Sequence, residues 1–466
     1  MSNELWRMGA CEIADGIRNK QFSSREAVQS CLDRIGDTND RLNALTEVTA
    51  DAALEAADAA DKVVASGDEL GLLHGVPVSI KINVDLKGSA TVNGCAALID
   101  NIATENSPAV QNWLDAGAVV VGRSNCPEFC VRWDTNNEVY GQTYNPWDSS
   151  ITPGGSSGGA ASSIAAGMTP LAHGTDIGGS LRQPAQACGI ASIRSSWGRI
   201  PDYVPSEHEA SISSQLFNTD GPMARRIADV RLGLQAMAKG DWRDPWWIPV
   251  PLEEPARSEL PVAIIDNPLG EGITEQVASG IQLAEESLEL AGYATEHAEP
   301  ATLADAVNIW LDVMHFEVIN NLKPAVQDFC GAALKQAFER YHAAFPDLSA
   351  EKYFEAFRDR RRVLRDWMGF FQQHSVIVAP VSTNPPMPID YDIESNESTA
   401  ESLRSMRMVV AINALGLPSV IVPLGEKDGL PRAVQVIGAP FQEMRCLQVA
   451  EAIEKNVEEH LPIDPR

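Results

Sequence analysis

Between Thr152 and Ala160 the chain reads Thr-Pro-Gly-Gly-Ser-Ser-Gly-Gly-Ala. Small residues around two serines let a backbone approach a reacting group closely. Gly154-Gly155-Ser156-Ser157-Gly158 fits the G-x-S-x-G spacing of a nucleophile elbow, and the frame one residue later centres on Ser157. An elbow serine needs an acid and then a histidine further along the chain. The eight histidines offer no such arrangement, and His173 sits in an apolar stretch with no acid partner pattern. A phosphate loop would need a lysine after the glycines, and none follows. A flexible linker would not run straight into the apolar, helix-prone Ala160 to Ala166. Lys81, in Val76-Pro-Val-Ser-Ile-Lys-Ile82, is a candidate base, but on its own residues it reads first as a lysine at an exposed strand edge. Cys126-Pro-Glu-Phe-Cys130 lacks the spacing of a metal or redox pair and reads as two small buried apolar side chains. No metal site is expected.

A longer constellation surrounds the serines. After Thr152–Ala160 comes Gly174-Thr-Asp-Ile-Gly-Gly-Ser-Leu-Arg182-Gln-Pro-Ala185. Upstream lie Gly75-Val-Pro-Val-Ser-Ile-Lys81-Ile-Asn83 and Asn145-Pro-Trp-Asp148; downstream lie Asn413-Ala-Leu-Gly-Leu-Pro418 and the stretch Gly429 to Gly438. Together, from about Ser23 to Glu451, these segments resemble the amidase signature family. The resemblance implies a Ser-Ser-Lys triad with one serine in a cis peptide: Ser180 as nucleophile, Ser156 as the bridging serine and Lys81 as base. Lys81 stands 75 residues before Ser156, and Ser156 stands 24 before Ser180, intervals similar to the family's. It also implies an oxyanion hole from the backbone N–H groups of Ile177, Gly178, Gly179 and Ser180. Two departures bear on subfamily and substrate. Ile82 stands where the family often has an acid, and Arg194-Ser195-Ser196 replaces the more usual Lys-Pro-Thr.

These residue types suit attack on an amide. A serine hydroxyl is a weak nucleophile until a base takes its proton. An ammonium cannot do so, hence Lys81 must be neutral near pH 7, and burial, which disfavours the charged form, would make it so. Ser156 can donate and accept at once, so it can relay the proton. Consecutive amides with two glycines can meet the tetrahedral oxyanion. Asp176 and Arg182 read as a pair holding the loop, with Thr175 joining them and Ser157 supporting rather than reacting. Trp133, Trp310, Met314 and Phe316 are the candidates for the substrate pocket.

The elements that must position these groups are legible in outline. Ser23-Ser-Arg-Glu26 is a capping box, and Val28, Cys31, Leu32 and Ile35 follow at helical spacing. Asp51 to Ala65 is helical, Leu73–Lys81 and Ala118–Gly122 are strand-like, and a helix from about Ser107 to Ala116 suggests βαβ winding. Trp242 to Arg257 reads as a surface connection. Val376–Pro380 and Ser419–Pro423 return to strand character, and Glu443–Lys455 to helix. The expected fold is α/β: a mixed, twisted β-sheet core with helices on both faces. One amidase domain over residues 1–466 is expected, its core at about 70–230 and 375–455, with a helical cap or insertion at about 300–373.

The chain has 466 residues, 44% hydrophobic and 21% charged, with net charge −28. That charge argues against nucleic acid and against anionic membrane as partners. No secretory signal or membrane-spanning run is visible, and eight scattered cysteines fit a reducing cytoplasm. No cofactor is expected. The expected partner is a small amide-type substrate, and a homodimer is compatible with the sequence. The function expected is hydrolysis of a small carboxamide, anilide or carbamate through an acyl-enzyme, with esterase or urethanase side activity. The rivals are an amidotransferase A subunit, supplying ammonia from glutamine, and a non-catalytic binding protein on the same fold.

Overall fold

The computed structural model describes residues 2–207, 209–344, 349–457 and 461–466. Eleven strands form one mixed sheet: β1 (Leu45–Val48), β2 (Pro77–Lys81), β3 (Val119–Ser124), β4 (Leu171–Thr175), β5 (Ala191–Arg194), β6 (Asp220–Ala224), β7 (Val262–Ile264), β8 (Thr295–His297), β9 (Ile377–Pro380), β10 (Ser419–Lys427) and β11 (Leu430–Ile437). Their order is β1-β3-β2-β4-β6-β5-β10-β11-β9-β7-β8. β2 runs parallel to both β3 and β4, with the Pro108–Asp115 helix as the βαβ crossover between β2 and β3. β3 carries one residue, Val121, that β2 does not match, because Val78 pairs with Val120 and Ser79 with Gly122.

Helices cover both faces because side chains alternate across each strand. Val420 and Val422 of β10 pack with Leu447 and Ile453 of the Glu443–Glu454 helix, in a cluster that also holds Val78, Ile80 and Ile193. Ile421, between them, packs on the other face with Ala160, Ala161 and Ile164 of the Gly158–Ala165 helix. The capping box forms as expected: Ser23 accepts from the Glu26 N–H while the Glu26 carboxylate accepts from the Ser23 N–H, opening the Ser24–Leu42 helix.

Residues 303–370 supply the helices Leu303–Glu317, Lys323–Phe329, Ala332–Ala344 and Ala350–Phe370. Leu303, Ala306, Ile309 and Val313 form one apolar stripe, each three or four residues after the last. It packs against Met408, Ala411 and Ile412 of the Arg407–Leu415 helix and Val363 and Trp367 of the Ala350–Phe370 helix. The segment around Trp242 has no regular element, and Trp242 is 90% exposed. Among the described residues no helix is long and apolar enough to cross a membrane.

Candidate active site

Lys81 ends β2, flanked on both sides by β3 and β4, so it lies inside the sheet and not at an edge. Its side chain is fully buried. Nζ donates to Ser156 Oγ at 2.7 Å and to Thr175 Oγ1 at 2.9 Å. Among the described residues no carboxylate pairs with it. Thr175 ends the neighbouring strand β4, which explains how it meets Lys81 across the parallel ladder. Asn83 Nδ2 also donates to Thr175 Oγ1, at 3.3 Å.

The Gly155–Ser156 peptide is cis. Gly155 is required by crowding, since a Cβ there would lie 2.4 Å from the Arg132 carbonyl oxygen. Its N–H donates to Gln183 Oε1 at 2.9 Å. Ser157 supports the same region: its Oγ donates to the Thr175 carbonyl at 3.4 Å, and its N–H donates to the Ser180 carbonyl at 3.2 Å. Ser156 and Ser180 are both buried and both border one cavity of about 1530 Å³. Among the described hydrogen bonds none joins Ser156 Oγ to Ser180 Oγ.

The loop before Ser180 is built on Asp176. Its carboxylate accepts from the N–H groups of Gly179 (2.9 Å) and Leu181 (3.1 Å), from Arg182 Nε and Nη2 (both 3.0 Å) and from Asn413 Nδ2 (2.8 Å). Arg194 Nη1 donates to the Asp176 main-chain carbonyl at 2.7 Å. Burial alone would raise the Asp176 carboxyl, but the charge and hydrogen bonds of Arg182, with Arg194 and Asn413, hold it well below the usual carboxylate range. Gly179 therefore leaves the expected set of oxyanion donors, because its N–H is already committed to this carboxylate. The N–H groups of Ile177, Gly178 and Ser180 have no acceptor among the described hydrogen bonds.

Two tryptophans fix the other side of the loop. Trp133 Nε1 donates to the Gly178 carbonyl at 2.9 Å, and Trp310 Nε1 donates to the Ile177 carbonyl at 2.8 Å. The rings stack with centroids 6.4 Å apart. Gly178 has to be small here, since a Cβ would lie 2.7 Å from Trp310. Because trans peptide N–H and C=O groups point oppositely, carbonyls turned toward the indoles turn the Gly178 and Gly179 N–H groups the other way. Trp133, Trp310 and Met314 line the cavity. Phe316 does not. Two residues on from Met314 along a helix is about 200° of rotation, so it faces elsewhere, and its ring packs on Tyr353 with centroids 4.6 Å apart.

Two further placements differ from the sequence reading. His173 does meet an acid, with Nε2 3.3 Å from Asp220, but it is fully buried in β4 and does not line the cavity. Cys126 is fully buried as expected, whereas Cys130 is half-buried and lines the cavity. Asn83, Gln183, Arg194 and Asn413 were not anticipated as site residues. Asn83 follows the end of β2 in a turn, which strand alternation does not predict.

The amidase family model matches residues 26–447. The chain belongs to the amidase family. An indoleacetamide hydrolase of Bradyrhizobium diazoefficiens is 40% identical over 460 residues, covering 97% of this chain and 86% of the relative. The A subunit of the glutamyl-tRNA(Gln) amidotransferase of Moorella thermoacetica is 31% identical, covering 98% of each chain. Among solved structures, a bacterial aryl acylamidase of the amidase signature family superposes with a TM-score of 0.85 at 25% identity, covering 96% of each chain. Amidase-signature proteins are amide hydrolases, and this chain shares its overall fold with such structures.

Proposed function

We propose that this amidase hydrolyses a small primary carboxamide carrying a flat aromatic acyl group, through an acyl-enzyme on Ser180. The observation that carries the reading is the buried Lys81–Ser156 contact opening, at Ser180, into a cavity walled by the stacked Trp133 and Trp310. The 40% identical indoleacetamide hydrolase supports an aromatic acetamide as the compound class.

In this mechanism Lys81 is the base. Its side chain is fully buried, and among the described residues no carboxylate pairs with it. Ser156 passes a proton to Lys81 as it accepts one from Ser180, whose oxygen attacks the carbonyl carbon. The two serine hydroxyls close to hydrogen-bond distance when substrate fills the cavity, as catalytic contacts often tighten only in the complex. The free N–H groups of Ile177, Gly178 and Ser180 receive the developing oxyanion. The proton then returns through Ser156 to the leaving ammonia, and water releases the acid by the reverse route.

The test is purified chain, without partner subunits, assayed on indole-3-acetamide, phenylacetamide, anilides, esters and glutamine, with Ser180→Ala as control. Release of ammonia and indole-3-acetate, lost in the variant, is the expected result. Glutamine hydrolysis that appears only with added amidotransferase subunits would instead support the amidotransferase reading. A fluorophosphonate should label Ser180; labelling of Ser156 or Ser157 would reassign the nucleophile.

A further inference from the structure

We propose that the active-site cavity holds a second subsite, which binds a primary ammonium group carried on the amine portion of an amide. The subsite rests on the proposed function for the direction in which substrate lies, and it extends the substrates beyond primary carboxamides. Three stretches of chain meet at the wall that forms it. Trp197 and Asp202 follow β5, Asp220 opens β6, and Asp244 and Trp246 belong to the connection around Trp242. All five border the cavity. Asp244 Oδ2 accepts from the Asp202 N–H at 2.9 Å, and its Oδ1 accepts from the Trp246 N–H at 2.8 Å. Asp202 Oδ2 accepts from Asn218 Nδ2 at 2.8 Å. The Trp197 and Trp246 rings have centroids 5.7 Å apart. Both indole N–H groups donate to Gln215, at 2.8 Å to its carbonyl and at 3.4 Å to its Oε1.

What this wall lacks is a positive charge. Among the described residues no lysine or arginine pairs with Asp202, Asp220 or Asp244, and no lysine borders the cavity. Two arginines border it, and both are already paired: Arg132 with Asp392 at 2.6 Å, and Arg243 with Asp241 and Glu105, each at 2.7 Å. Asp220 is only 2% exposed, and its Oδ1 has no hydrogen-bond partner among the described residues. Its Oδ2 meets His173 at 3.3 Å. Burial, and then the charge of Asp220, pushes the Asp202 carboxyl up to about 8, as crowded carboxylates without a cation do. A buried carboxylate without a counter-charge is costly, so a bound cation relieves that cost. Indole rings beside carboxylates suit an organic ammonium, which rings attract through their faces. Among the described residues no cluster of acidic, histidine or cysteine side chains could hold a metal ion.

The position of the wall decides which part of the substrate meets it. Asp220 stands directly opposite Thr175 in the β4–β6 ladder, and directly paired residues share one face of a sheet. Thr175 Oγ1 accepts from Lys81 Nζ. The subsite therefore adjoins the Lys81–Ser156 pair, which returns the proton to the leaving amine in the proposed mechanism. The amine portion of the substrate is the part on this side, while Trp133 and Trp310 are left to the acyl group.

The probes are two amides of indole-3-acetic acid, one with ethylenediamine and one with ethanolamine. They match in length and differ in ending on an ammonium or a hydroxyl. Binding of each to Ser180→Ala is measured by calorimetry at neutral pH, and kcat/KM of each is measured on the wild type. The ammonium amide is expected to bind about tenfold more tightly and to be preferred about tenfold in kcat/KM, the scale of one charge-assisted hydrogen bond. Adding Asp220→Asn, or the half-buried Asp202→Asn, should cut both preferences to about threefold or less while the hydroxyl amide changes little. Loss of the preference in either variant that folds supports the subsite. Equal binding of the two amides by Ser180→Ala, or a preference that survives in both variants, overturns it. Because Ser180→Ala cannot form the acyl-enzyme, its binding is independent of turnover: an ammonium preference there, in a chain whose wild type hydrolyses no amide, leaves the subsite standing and removes the amidase reading.

Discussion

The segment from residue 152 to residue 196 and the helices of residues 303–370 solve opposite problems. In the first, every residue but Ile177 and Gly189 is buried, although the segment carries eight serines, three threonines, Asp176, Arg182 and Arg194. Most of its polar groups are satisfied by one another and by distant partners such as Asn413, while Thr169 Oγ1 and Arg194 Nε and Nη2 are buried without a hydrogen-bond partner. The second is amphipathic: one apolar stripe faces the Arg407–Leu415 helix, while charged residues such as Arg358 and Asp359 face water. A buried polar network tolerates little change, because each lost partner strands a buried group. An amphipathic helix tolerates much, provided its stripe survives. The chemistry sits in the first kind of structure and reaches the second mainly through Trp310, whose indole N–H meets the Ile177 carbonyl.

That contrast can be broken or sharpened by substitutions of falling severity. Ser180→Ala should reduce kcat on indole-3-acetamide by about 10⁴-fold or more, leaving the thermal midpoint within a few degrees of wild type. Asp176→Asn should destabilise the fold by about 3–5 kcal/mol in urea titrations, since Arg182 and Arg194 lose a buried counter-charge. Its acid limb provides a second reading. A carboxyl held low in the folded state contributes fully above the ordinary value of about 4 and loses that contribution as pH falls toward the folded value. The variant should therefore show a shallower stability loss below pH 4 than wild type; equal slopes would exclude Asp176 as a source. Trp310→Phe keeps an aromatic ring, though a smaller one, and deletes one N–H donor worth about 0.5–1.5 kcal/mol. It should lower kcat about 3- to 10-fold with little change in KM, and a rise in KM alone would reduce Trp310 to a substrate contact. Phe354→Ser, on the exposed face of the Ala350–Phe370 helix, should alter stability by less than about 0.5 kcal/mol and leave kcat/KM unchanged.

The same contrast explains what could be read in advance. The Gly/Ser run, Lys81 and the Asp176–Arg182 pair were visible because small, polar and basic residues stand out against apolar neighbours. The capping box at Ser23 and the βαβ unit from β2 to β3 were visible because their signals are local. Asn413 was not, since its contact with Asp176 spans 237 residues and depends on the Arg407–Leu415 helix docking on the loop. Gly179 read as an oxyanion donor because only the structure shows its N–H already turned to a carboxylate. Phe316 failed on helix phase, where apolar character says nothing about which side of the helix faces the cavity. Cys130 read as buried filler because two successive left-handed residues leave no periodic trace.

The unmatched Val121 in β3 has a consequence outside the reacting atoms. Arg123, two residues later, donates from Nη2 to the Lys81 carbonyl and, at 2.7 Å, to the Val84 carbonyl, clasping the chain as it leaves β2. Side chains in a strand change faces with every residue, so removing Val121 would transpose all that follows it in β3 by one beat. Arg123 would then release β2, and Lys81 would lose its mooring with every catalytic residue still encoded. The address of the base is thus written partly in a neighbouring strand, as a single surplus residue that takes no part in the reaction.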